Sequence, residues 1–159
     1  MDRLKSIAKE VLEEGEDAGG KGFSILVSLE PERVQDFAKT AFSEGFFLEF
    51  ITAEDWKDYL SVIYSFRKKL SKERIIAKVD IKPGEKLLSL ARIFPSADPF
   101  EREVFDMFGI SFEGHPRMRR ILTSEEIEGY PLRKDWDPEE NYKKMEEKLL
   151  KSLGLSDGG

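Results

Sequence analysis

Cysteine is absent from the 159 residues and histidine occurs once, at His115. Without cysteine there is no disulfide, no zinc–thiolate site, no iron–sulfur ligation and no thiol nucleophile. A single histidine excludes a histidine-rich metal site, and any Ser-His-Asp triad would have to use His115. No run approaches the ~20 apolar residues of a membrane-spanning helix. The first residues, MDRLKSIAKEVLEEGED, hold no apolar core of signal-peptide length. The expected setting is therefore the cytoplasm, including the cytoplasmic side of a membrane complex. Asparagine and glutamine occur once each, at Asn141 and Gln35, against abundant Glu and Lys. That bias fits a thermophile.

What remains is a charged, globular composition: 36% charged, 40% hydrophobic, net charge −6 and a pI near 5.1. A nucleic-acid-binding protein needs a basic footprint, so nucleic acid is excluded as the main partner. The length suits one domain with an added arm.

Periodicity predicts an α+β fold. Leu4, Ile7, Ala8, Val11 and Leu12 have helical spacing, and GEDAGGKG breaks it. Phe23, Ile25, Val27 and Leu29 alternate as a strand, and a helix follows Pro31 through Val34, Phe37, Ala38, Ala41 and Phe42 to Gly45. Three more strands are expected: Phe46 to Ile51, then one carrying Leu60, Val62, Tyr64 and Phe66, then one carrying Ile75, Ala77, Val79 and Ile81. The result is a mixed or antiparallel sheet of four strands packed with helices. After the Lys82 to Lys86 turn, a short helix is expected around Lys86 to Ile93. A second is punctuated by Asp98 as cap, Pro99 as first residue and Glu101 closing a capping box. Its apolar side carries Phe100, Val104, Met107 and Phe108.

From Gly109 to Trp136 the periodicity is lost, although nine large apolar residues lie there, among them Ile110, Phe112, Ile121, Leu122 and Leu132. An ordered, irregular, apolar segment must bury itself on its own domain or on another protein. The chain thus divides at 1–108, an α+β domain, and 109–159, an extended arm. The arm ends in a helix capped by Asp137-Pro138, with Tyr142, Met145, Leu149 and Leu153 as a narrow stripe.

The charged clusters allow two readings. Glu101, Arg102, Glu103 and Asp106 could supply a general acid and base. The structural alternative is that Glu101 caps its helix and Arg102 pairs with Asp106 at i, i+4. Arg117, Arg119 and Arg120 are read as partners for carboxylates. His115 is read as a ring satisfied in a turn rather than a proton carrier. There is no GxGxxG, P-loop, HExxH or CxxC, so the residues point to a binding or assembly subunit.

Glu101-Arg102-Glu103, Asp106-Met107-Phe108, His115 and Arg119-Arg120 at this spacing resemble the signature of the 30 kDa subunit family of respiratory complex I. Pro131-Leu132-Arg133-Lys134-Asp135 is similar to that family's PLRKD stretch. One departure is Arg117, where relatives often carry an acidic residue after His-Pro, so no salt bridge is carried over to that position. The resemblance implies a subunit that binds no cofactor and works in the peripheral arm of an energy-converting redox complex. It implies packing against a large subunit like that of nickel–iron hydrogenases. Iron–sulfur clusters, and in some relatives a nickel–iron centre, would sit in partner subunits. Membrane contact would come only through the complex. The short chain and composition lean towards membrane-bound hydrogenase and related complexes. The alternatives are an NADH:quinone oxidoreductase subunit proper, and a small stand-alone enzyme using Glu103, Asp106 and His115.

Overall fold

The computed structural model describes residues 1–14 and 23–155. In chain order the elements are α1 (Asp2–Ile7), β1 (Glu10–Glu14), β2 (Ile25–Leu29), a 3-10 turn (Pro31–Arg33), α2 (Val34–Ser43), β3 (Phe46–Asp55), β4 (Leu60–Lys68) and β5 (Arg74–Ile81). There follow β6 (Leu87–Leu88), α3 (Ala97–Phe108), β7 (Phe112–Glu113) and α4 (Pro138–Ser152). The fold is α+β. Its main sheet has five strands in the order β1-β2-β5-β4-β3, rather than the expected four, and β6 pairs with β7 in a separate small ladder. Only β2 and β5 run parallel within the main sheet.

Alternation explains which face is buried. Ile25, Val27 and Leu29 of β2, Leu60, Val62, Tyr64 and Phe66 of β4, and Ile75, Ala77, Val79 and Ile81 of β5 are all buried. On β3 the buried set is Phe46, Leu48, Ile51 and Ala53, which breaks strict alternation. A register shift between Leu48 and Phe50 restores it, because one extra residue enters β3 there. Glu49, at the shift, accepts from Ser65 at 2.9 Å and from Arg74 at 2.8 Å. Val34, Phe37, Ala38 and Ala41 of α2 and Ala97, Val104 and Phe108 of α3 join the same core.

Three expectations are corrected. The N-terminal helix ends at Ile7, where Ala8 turns extended, and Val11 and Leu12 belong to a strand paired antiparallel with β2. The open edge of β2 offers a ladder of hydrogen bonds that helical spacing alone could not reveal. The short helix around Lys86 to Ile93 is absent: Leu87 and Leu88 form β6, and the following backbone is held by a buried carboxylate described below. Thirdly, α3 starts at Ala97 with Ser96 at its cap position and no side-chain cap bond, so neither Asp98 nor Glu101 caps it. The amides of Ala97 and Asp98 already bond the carbonyls of Phe94 and Pro95, which begins the helix earlier than the Asp-Pro punctuation indicates. The glycine-rich break after Glu14 and the final SDGG lie outside the described residues.

The N-terminal cap of α4 is as expected: Asp137 accepts from the amides of Glu139 and Glu140. Between α3 and α4 the chain is ordered with little regular structure, β7 apart. It starts inside the core, where Ile110 and Phe112 are buried. Among the described residues no helix is long and apolar enough to cross a membrane.

Candidate functional site

Two faces of α3 organise the charged residues. The inward face carries Glu101, which is fully buried and accepts from the Ser89 hydroxyl at 2.6 Å and the Leu90 amide at 2.6 Å. It therefore clamps the loop after β6 instead of its own helix. Burial dominates its titration and pushes the carboxyl up to about 7, against the lowering effect of those two donors. The His115 ring is also buried, with Nε2 3.9 Å from Glu101 and 3.9 Å from Asp98. The Arg117 amide donates to Nδ1 at 3.0 Å, so Nε2 carries the proton and donates to the Asp98 carbonyl at 3.2 Å. Tyr64 places its hydroxyl in this interior without a hydrogen-bond partner. Desolvation first, and the charge of Glu101 second, push that phenol well up.

The arm-facing side is organised by Asp106, also fully buried. Its Oδ2 accepts from the amides of Ile121 at 2.9 Å, Leu122 at 2.7 Å and Thr123 at 2.9 Å. Its Oδ1 accepts from Arg120 at 2.9 Å and from the Thr123 hydroxyl. Burial alone would raise this carboxyl, but the Thr123, Leu122 and Ile121 donors outweigh it and hold it far below the usual carboxylate range. Arg120 also donates to the carbonyls of Ile127 at 3.3 Å and Gly129 at 2.7 Å, and sits over the Tyr130 ring at 5.3 Å. The expected Arg102–Asp106 pair is thus corrected. Arg102 reaches back to the carbonyls of Arg119 and Arg120 at 3.2 and 3.3 Å, with Asp98 3.9 Å away. Asp106 prefers Arg120 because the same guanidinium closes the arm's own turn.

A third carboxylate fixes the far end of the arm. Asp55, at the end of β3, accepts from the amides of Lys57 and Lys134 at 2.8 Å each and lies 3.0 Å from Arg133. Burial would raise it, yet the Lys134 and Lys57 amides and the Arg133 charge bring it below its ordinary value. Leu132 donates its amide to the Met107 carbonyl at 3.0 Å, so the arm returns along α3. Gly109 has φ +75, and a Cβ there would overlap the Tyr130 ring.

The anticipated residues therefore separate into groups. Glu101, Arg102, Asp106, His115, Arg120 and Arg133 are spent on internal contacts. Glu103 is exposed on α3 and its side chain has no hydrogen bond or ion pair among the described residues, and the same holds for the guanidinium of Arg119. Asp135 is exposed and 3.8 Å from Arg133; Pro131 is half-buried and Leu132 is 55% exposed. Arg117 does form a salt bridge, to Asp98 at 3.0 Å. Glu103, Asp106 and His115 do not converge: the first faces solvent, the second is enclosed by the arm, the third is buried against α3. Among the described residues no three metal-ligating side chains come together. The sequence did not single out Asp55, Ser89, Thr123 or Tyr64. A lone Asp before a Trp-Lys turn carries no periodic signal, and its partner Lys134 lies 79 residues away.

Arg119, Ile121, Leu122 and Leu132 thus ring the outer side of α3, where Leu122 is 64% exposed and Ile121 41%. α4 adds Tyr142, Leu149 and Leu153, all exposed. This is a small α+β domain whose buried carboxylates hold an irregular arm in place, with apolar side chains exposed along it.

The chain belongs to the respiratory-chain NADH dehydrogenase 30 Kd subunit family, whose model matches residues 27–142. It is 47% identical over 89 residues to the C subunit of the NADH-quinone oxidoreductase of Ruegeria pomeroyi, covering 54% of this chain and 44% of that one. To the corresponding subunit of Rhodobacter capsulatus it is 34% identical over 119 residues, covering 70% and 60%. The matches span only 38–44% of the length of the Ruegeria pomeroyi, Cereibacter sphaeroides and Sinorhizobium medicae subunits. Its fold is similar to that of a chain in the membrane-bound sulfane sulfur reductase, an archaeal respiratory membrane complex, with a TM-score of 0.69 and 23% identity. That match covers 99% of this chain and 91% of the other.

Proposed function

We propose that this chain is a structural subunit in the peripheral arm of a multisubunit energy-converting redox complex, on the cytoplasmic side of the cell membrane. It packs against a hydrogenase-like large subunit and neighbouring iron–sulfur subunits. The redox centres, iron–sulfur clusters with or without a nickel–iron site, belong to those partners. The observation that carries the reading is the surface of α3 and the arm. Ile121, Leu122 and Leu132 are exposed on a scaffold that Asp106 and Asp55 hold rigidly, with the unpaired side chains of Glu103 and Arg119 beside them. Exposed apolar groups on an ordered frame are what a permanent partner covers. Asp106 has its lone pairs filled by five donors, which leaves it no role as a general base in a stand-alone enzyme.

The nearly end-to-end fold match with a chain of a sulfane sulfur reductase complex supports the membrane-bound hydrogenase-related branch. The sequence identity to NADH-quinone oxidoreductase chains supports the NADH:quinone oxidoreductase branch as the second reading. Native purification of a tagged chain, with mass spectrometry of the co-purifying subunits and metal analysis, tests both. Nickel in the complex marks the first branch; a flavin-bearing, NADH-oxidising partner marks the second. Purification from its host as a lone, stable monomer would overturn the proposal.

A further inference from the structure

The side chains of His115 and Glu101 are both fully enclosed and meet without bonding. The ring Nε2 lies 3.9 Å from the Glu101 carboxylate and donates instead to the Asp98 carbonyl at 3.2 Å. Three titratable groups face Glu101. Tyr64, from β4, is pushed well up by burial and then by the Glu101 charge, so it keeps its proton near neutrality. Asp98, on the same helix, is held below its ordinary value by the Arg117 guanidinium, which donates at 3.0 Å, with Arg102 3.9 Å away, so it stays ionised. His115, from the chain after β7, is the third. The loop after β6 brings only neutral donors to this contact, the Ser89 hydroxyl and the Leu90 amide. Burial brings the Glu101 carboxyl to about 7, so its charge changes near neutrality. When ionised it is a buried anion with two neutral donors and empty lone pairs, which is costly unless a further donor turns to it. The His115 Nε2–H is placed to do so, and its present acceptor can release it. A carbonyl in the first turn of α3 also accepts the helix's own amide four residues on.

We propose that Glu101 and His115 form a proton-operated toggle at the root of the arm: with Glu101 neutral the Nε2–H rests on the Asp98 carbonyl, and with Glu101 ionised it swings onto the carboxylate. The O–H bond of Glu101 breaks and its proton goes to solvent, while the ring keeps its own single proton. The motion does not stay in the interior. Nδ1 holds the Arg117 amide at 3.0 Å, so a turn of the ring draws on residues 115–117. The Arg117 side chain is 66% exposed and reaches back to Asp98 at 3.0 Å, so the same turn carries the change to the surface. From there the chain runs into the segment whose amides Asp106 holds. An interior ionisation thus becomes a shift where the arm begins. The inference goes beyond the assembly reading and does not depend on it.

The test uses the full chain with isotopically labelled histidine and backbone amides, followed by nitrogen–proton correlation NMR between about pH 6 and 8. Because His115 is the sole histidine, its ring gives one set of signals. The Nε2 proton is expected to move downfield in one transition centred at about 7, as it gains a charged acceptor, with Nδ1 remaining the acceptor through that step. The Arg117 amide should shift with the same midpoint. In Glu101→Gln the transition should vanish. Should that variant fail to fold, Ser89→Ala serves in its place: it removes a donor to the ionised carboxylate and should raise the midpoint by about one pH unit. A wild-type ring signal that is flat across the range would overturn the proposal. So would a transition that survives in Glu101→Gln or keeps its midpoint in Ser89→Ala, an Arg117 amide that does not follow it, or proton uptake by Nδ1 in the same step.

Discussion

Asp106 and Arg120 lie 14 residues apart and meet at 2.9 Å, and through that contact one helix fixes the course of an arm that has almost no regular structure of its own. The carboxylate takes three consecutive amides, those of Ile121, Leu122 and Thr123, while the guanidinium collects the carbonyls that close the following turn. Removing one member of such a buried pair leaves the other charge unsatisfied, at a cost of about 3–5 kcal/mol. Asp106→Ala should lower the stability of the isolated chain by about that amount in urea unfolding and release the arm to proteolysis. Arg120→Leu should show the same pattern. A chain with unchanged unfolding midpoint would mean the carboxylate is not the arm's anchor.

Gly109 makes the second anchor possible. Its φ of +75° is a left-handed conformation, and the space a side chain would need is filled by Tyr130. Gly109→Ala therefore combines backbone strain with a steric conflict and should cost about 1–3 kcal/mol. Pairing it with Tyr130→Ala should recover the steric part and leave the strain. If the alanine variant melts at the wild-type temperature, the close approach of Tyr130 to Gly109 is not a native feature.

Much of this was legible beforehand and some was not, for physical reasons. The buried face of β5 follows from strict alternation, and the apolar face of β4 from alternating apolar residues although Ser61 and Ser65 between them are buried too; the Asp137-Pro138 start of α4 follows from local capping chemistry. The misread stretches are those where a distant partner outweighs local preference. Val11 and Leu12 have helical spacing but pair with β2. Glu101 sits where a capping residue would, yet the Ser89 and Leu90 donors draw it inward. The same holds for the site. The charged signature was visible as residues, but its division into internal anchors and outward groups depends on bonds spanning 11 to 79 residues. No periodicity encodes those.

Glu101 gives the protein an unusual response to pH. Its carboxyl is raised from 4.5 to about 7 by burial, so the folded chain holds a proton that the unfolded chain releases. Between about pH 4.5 and 7 the unfolded state therefore binds fewer protons, and stability falls as pH rises through this window, then levels off. The loss is on the order of 3 kcal/mol in total. Asp106 acts in the opposite sense. Its depressed value adds stability that is present above the ordinary aspartate range and is lost as acid protonates it. For these two groups together, maximum stability should lie at about pH 4, between their ordinary values. Glu101→Gln should flatten the decline between pH 5 and 7 while leaving the acid limb intact. A wild-type melting temperature that is level across that window would rule out a protonated Glu101.

Two carboxylate anchors, Asp106 and Asp55, make a residue-level statement about the arm's motion. Amides that bond Asp106, those of Ile121, Leu122 and Thr123, and the Lys134 amide on Asp55 should exchange slowly in the isolated chain, as should the Leu132 amide on the Met107 carbonyl. Glu125, which has no such bond and is exposed, should exchange rapidly. The arm is thus a frame fixed at both ends. A partner that covers it gains apolar contact at Ile121, Leu122 and Leu132 with little cost of ordering. In the assembled complex the backbone pattern should change little, whereas Leu122→Asp should leave the isolated chain's stability within about 0.5 kcal/mol and reduce its retention in the complex. Amide exchange of the free chain by mass spectrometry checks the first part, and affinity purification of the variant from its host checks the second. Uniformly fast exchange from Arg119 to Trp136 would show that the arm is ordered only by its partner.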